Sequence, residues 1–146
     1  MTRKLIAIAA ATCLLAPTAA LAGTATYTTK GGPAKTVGTA EYQGSYQEGT
    51  SVVTFSDGST SKESWTCIGT SQPPNGKIFD FHFACDATGD AGSYSMIFGC
   101  NNGEAEGAQG CVGGLNGKTG KYEGKNGATT WAGVNGNGMG TMQWND

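Results

Sequence analysis

The chain has 146 residues, 9 of them Lys or Arg and 11 Asp or Glu, with one His and a formal net charge of −2. Past residue 22 there are seven lysines, eleven acids and no arginine. That balance argues against nucleic acid as a partner, since such binders displace counterions with Lys and Arg and read guanine edges with Arg. It argues equally against a bidentate clamp on phosphate or carboxylate.

Residues 1–22 read as a cleaved secretory signal: Arg3 and Lys4 make a basic start, "LIAIAAATCLLA" an apolar run, and Ala20 and Ala22 a small-residue end. The run is too short to cross a bilayer as a helix. Cys13 does not read as a lipid acceptor, because Thr12 precedes it and the run continues through Leu14 and Leu15. The mature chain is expected to begin at Gly23, leaving 146 − 22 = 124 residues as one domain, 23–146, with one modest core. The expected address is the periplasm or the medium, with no membrane contact after cleavage.

Cys67, Cys85, Cys100 and Cys111 remain in that chain. An even count in an exported protein reads as two disulfides, with three pairings open. Spacings of 18, 15 and 11 lack the close Cys pairs of structural zinc, so no metal is expected.

Short runs of Thr, Ser, Tyr, Phe and Trp, split by Gly, Pro, Asn and Asp, predict an all-β chain. "TSVVTF" and "STSKESWTCIGT" form a hairpin about Asp57-Gly58, and "PPNG" at 73–76 turns the chain again. A strand over 77–88 follows, then the turn "GDAG" and a strand over 93–100. Side chains alternate across a strand. Phe79, Phe81, Phe83 and Cys85 therefore share a face, as do Tyr94, Met96, Phe98 and Cys100, and Trp65 with Cys67. This strand-by-strand reading favours 67–85 and 100–111 as the bridges, the second closing the loop 101–110. A final hairpin is expected over 128–133 and 139–144, with Trp131 and Trp144 adding apolar area.

The stretch "CVGGLNGKTGKYEGKNG" tests for a nucleotide site and fails. A phosphate loop ending at Gly117-Lys118-Thr119 needs glycine at 112, where Val112 stands, and the glycines that follow cannot continue as a helix. A calcium-binding glycine repeat fails too, since no Asp occurs between Asp90 and Asp146. The glycines are left with a structural role.

Gly117, Gly120, Gly124 and Gly127 in "GKTGKYEGKNG" resemble the G-x-T-G-x-(Tyr/Phe)-x-G-x-x-G signature of the allene oxide cyclase and dirigent barrel-like superfamily. In its exported bacterial members a closing hairpin similar to "ATTWAGVNGNGMGTMQW" follows. The match covers about 35 C-terminal residues. The resemblance implies an eight-stranded antiparallel barrel, commonly trimeric, with a cavity for apolar or phenolic compounds. Only the glycine signature aligns, so no catalytic residue of the family is carried over.

Two sets of residues are candidates for function. His82 and Asp80 share a face, where the carboxylate would orient the imidazole for acid–base work, or both simply face solvent. Trp65, Phe79, Phe81, Phe83, Tyr94, Met96 and Phe98 line a cavity or fill a core. Glu104 and Glu106 read as solvated loop acids. Three functions follow: a binding module for a small apolar or aromatic compound, a cyclase, isomerase or dirigent-like enzyme, and an envelope structural or interaction protein with a filled barrel. None calls for a cofactor.

Overall fold

The computed structural model describes residues 23–39 and 41–145; the expected signal segment, with Cys13, lies outside them. The described residues form strands and no helix: β1 (Gly23–Gly31), β2 (Lys35–Thr39), β3 (Tyr42–Phe55), β4 (Thr60–Ser71), β5 (Phe81–Gly89), β6 (Gly92–Asn102), β7 (Ala108–Gly120), β8 (Asn126–Val134) and β9 (Asn137–Trp144). From β3 to β9 each strand pairs antiparallel with the next, and β1 pairs with both β9 and β3. Eight strands thus close into a barrel, which removes the open edges of its wall.

The ninth strand, β2, pairs with β3 beyond the point where β1 leaves it. Gly31 faces Gly49 and Lys35 faces Tyr46, so four steps along one strand oppose three along the other. The extra residue is a bulge at 32–34 that carries β2 out of the wall.

Alternation decides the two faces. Ala25 and Tyr27 of β1 are buried while Thr24, Thr26 and Thr28 are exposed, and the same rule gives Tyr94, Met96 and Phe98 inside against Ile97 outside on β6. β-branched threonine suits the outward positions of a pleated strand. The wall carries Lys62, Asp86 and Lys118 outside and most of its aromatic side chains, among them Tyr27, Trp65, Tyr94, Phe98 and Trp144, inside. That polarity is the inverse of a lipid-embedded barrel.

Cys67–Cys85 joins β4 to β5 and Cys100–Cys111 joins β6 to β7, the expected pairing. Each bridge links residues directly opposite one another, with Cα atoms 4.1 Å apart. Two such bridges fit an exported or otherwise oxidising compartment.

Three boundaries differ from expectation. The strand expected over 77–88 starts at Phe81, because Asp80 is held against the end of β6: its carboxylate accepts from the Asn102 backbone N–H (2.9 Å) and its own N–H donates to the Cys100 carbonyl (2.9 Å). Half of the segment 101–110 is strand, with only 103–107 between β6 and β7. The glycine-rich connection is likewise shorter, since β7 runs through Gly120 and leaves 121–125 as the turn. β1, β2 and the first half of β3 had no counterpart among the expected strands. The Thr-rich β1 and β2 and the Gly- and Gln-containing start of β3 carry little hydropathy contrast.

Candidate functional site

The barrel interior has two unlike halves. At the end bounded by the β3–β4, β5–β6 and β7–β8 turns it is filled. Val53, Leu115, Tyr94, Tyr122, Met142 and Trp144 are all buried there. Tyr122 comes from the β7–β8 turn and plugs the end: its ring lies 4.7 Å from Tyr94 and 5.0 Å from Trp144, centre to centre. The glycine signature shapes this turn. Gly120 and Gly124 take positive φ (66° and 73°), and a Cβ on Gly117 would overlap the Tyr122 carbonyl. Lys121 sits over the Phe55 ring at 3.9 Å, covering the plug from outside.

Among these rings lies a buried carboxylate, Glu63 of β4, 4% exposed. It accepts hydrogen bonds from Tyr94 Oη (2.7 Å), Tyr122 Oη (2.8 Å) and Ser51 Oγ (3.3 Å). Burial, and then the charge of Glu63, push both phenols well above their ordinary pKa. Sequence reading missed Glu63, yet the signal was present. It precedes Trp65 and Cys67 by two and four residues, on the inward face of the same strand. The Trp144 Nε1–H nearby is buried with no hydrogen-bond partner among the described residues.

The other half is hollow. A cavity of about 90 Å³ opens at the barrel end formed by the β1–β2 bulge and the β8–β9 turn. Trp65, Phe83, Met96, Phe98 and Trp131 form its walls, together with all four half-cystines. Its floor is Ser51, Ala87 and Tyr94, which seal it from Glu63, and its mouth carries Thr29, Gln47, Gln109 and Gly136. Tyr27 lines one side, its hydroxyl donating to the Thr130 carbonyl (2.9 Å). Burial pushes that phenol up to about 12. Among the described residues, none that lines the cavity carries a charged side chain.

Of the expected cavity residues, Trp65, Phe83, Tyr94, Met96 and Phe98 lie in the lining. Phe81 packs against the core beside Phe83 (ring centres 6.2 Å apart) but does not line the cavity. Phe79 is a correction: it precedes β5 and lies on the outer wall, over Gly99 and against the His82 ring. Alternation fails there because Phe79 is not in the strand.

The acid–base candidates also fall outside. His82 is exposed on the outer face of β5, and Asp80 sits in the preceding loop, ion-paired with Lys77 at 2.6 Å. The Lys77 hydrogen bond, then the Asn102 N–H, hold Asp80 below the usual carboxylate range. Neither residue reaches the cavity. Glu104 and Glu106 are exposed in the β6–β7 loop.

Among the described residues no cluster of His, Cys, Asp and Glu is arranged to hold a metal. The chain matches no protein-family model, no curated protein and no solved structure.

Proposed function

We propose that this protein is an exported binding module that holds a small apolar or aromatic compound in the open half of its barrel. One observation carries the reading: the hollow half of the interior has aromatic and sulfur-bearing walls and opens to the outside. Acid–base chemistry inside the cavity has less support, since Asp80 and His82 lie outside it and Glu63 is sealed beneath the floor with three hydroxyl donors. The two disulfides support export, to the periplasm or the medium. The strand count and the turn built by Gly117, Gly120 and Gly124 support kinship with the allene oxide cyclase and dirigent barrels.

A second reading, self-association, has its own observation. Tyr46, Ile68, Ala84 and Ile97 stand opposite one another across β3 to β6 on the outer wall, with Ile68 and Ile97 61% and 66% exposed. Such a row suits a second copy of the chain, trimeric by the resemblance.

Native mass spectrometry of the protein isolated from its own source tests both readings. The expected result is a bound small molecule released on denaturation. It is absent from Ala87→Leu, which fills the cavity floor. An empty protein whose Trp65 and Trp131 emission toluene does not change would overturn the binding reading. A strictly monomeric spectrum would remove the second.

A further inference from the structure

Most polar side chains that line the cavity are already committed. Trp65 Nε1 donates to the Thr50 carbonyl (3.0 Å) and Trp131 Nε1 to Thr29 Oγ1 (3.0 Å). Thr29 in turn donates to the Gly136 carbonyl (2.8 Å), and Tyr27 to that of Thr130 (2.9 Å). Ser51 and Tyr94 are spent on Glu63. At the mouth, Gln47 gives its Nε2 to the carbonyls of Gly32 (2.8 Å) and Asn135 (3.3 Å), fastening the β1–β2 bulge to the β8–β9 turn.

Gln109 is the exception whose whole amide is uncommitted; Gln47 keeps only its Oε1 without a donor among the described residues. Gln109 stands on the inward face of β7, two residues before Cys111, half-buried in the cavity lining. Its side-chain amide makes no hydrogen bond to any described residue. Its nitrogen and oxygen are open to solvent at the mouth, so both a donor and an acceptor stand ready to pair with an incoming group.

Size and charge narrow that group's owner. By the same measure a water needs about 10–15 Å³, so about 90 Å³ holds roughly six to nine waters, close to the heavy atoms of one substituted ring. No lining side chain offers a countercharge, and Glu63 behind the floor disfavours an anion further.

We infer that the cavity selects an uncharged, single-ring aromatic compound with one hydrogen-bonding group, and that Gln109 at the mouth receives that group. This rests on the binding reading above and specifies its ligand class. The ring sits among Trp65, Phe83, Phe98 and Trp131, and its polar substituent points outward to the amide. Gln109 is thereby a specificity residue and contributes little to binding the ring itself.

The test is a Trp fluorescence titration with toluene, phenol, benzamide, benzoate and benzylamine. Phenol or benzamide is expected to bind about 5- to 10-fold more tightly than toluene, the worth of one hydrogen bond. Benzoate should bind on the order of 100-fold more weakly than benzamide, for want of a partner to its charge. In Gln109→Leu the advantage of phenol and benzamide over toluene disappears while toluene affinity is kept, which also shows that the variant folds. Equal affinities for toluene, phenol and benzamide would overturn the inference alone. So would an unchanged ratio in Gln109→Leu, or tighter binding of benzylamine through the aromatic faces. If none of the five binds, the binding reading falls with it.

Discussion

The two ends of the barrel interior are held by different means. At the closed end Tyr94, Tyr122 and Trp144 pack ring against ring around Glu63, and neither disulfide of the described residues lies there. At the open end the interior is hollow, and both disulfides lie in its lining. Close packing gives cohesion to a filled interior; fully burying a large apolar side chain is worth about 1.5–3 kcal/mol. A hollow forgoes those contacts across its width, so its walls need another source of stiffness. Covalent bridges between neighbouring strands supply it without occupying the space. One end is thus held by packed rings and the other by covalent bridges around a hollow.

The sharpest way to break the comparison is at Glu63. Glu63→Ala leaves the Tyr94 and Tyr122 hydroxyls buried without an acceptor and opens a void, and should cost on the order of 3–5 kcal/mol in a urea titration. Replacing Glu63 by Leu together with Tyr94→Phe and Tyr122→Phe removes donors and acceptor at once and should cost less than Glu63→Ala alone. If the triple variant is the weaker protein, the hydrogen bonds contribute more to that end than the rings.

Next in size are the bridges. Cys67→Ser with Cys85→Ser, or Cys100→Ser with Cys111→Ser, should each lower stability by about 3 kcal/mol, by freeing the unfolded chain. The loss should also appear as faster amide exchange in β4 to β7 near the mouth, with the Tyr122 plug unaffected. Uniform acceleration at both ends would erase the distinction drawn here.

The smallest effect sharpens the picture through pH. Tyr27 titrates at about 12 in the folded protein against 10.0 in the free side chain. The folded state therefore keeps a proton that the unfolded state releases. Stability is whole below about pH 10 and falls as pH rises towards 12, by about 2–3 kcal/mol through Tyr27 alone. Tyr94 and Tyr122, raised further by burial and Glu63, extend that loss, which tyrosinate absorbance during alkaline unfolding would follow. Early, stepwise ionisation of all three phenols in a still-folded protein would contradict the buried positions described above.

Much of this molecule is legible residue by residue. Strict alternation around Cys67, Cys85 and Cys100 puts sulfur and aromatic side chains on one face, and the strand order then pairs the cysteines across hairpins. Glu63 follows from the same alternation, but a carboxylate is read as solvent-facing unless its partners are known. Those partners come from β3, β6 and the β7–β8 turn. Phe79 misleads for the opposite reason: an aromatic in phase with a strand still lies outside when the ladder begins two residues later.

All-β character, export-compatible cysteines and the inward faces of β4, β5 and β6 were determined by the sequence itself, because side-chain period and half-cystine count are properties of the chain alone. Closure of β1 onto β3, the sealing of one end by Tyr122, and the isolation of Gln109 at the other were decided only by the tertiary structure. Alternation says which residues share a face. Only the stagger of a closed barrel sets which of them meet across the interior, and so where the space between them is filled and where it stays open.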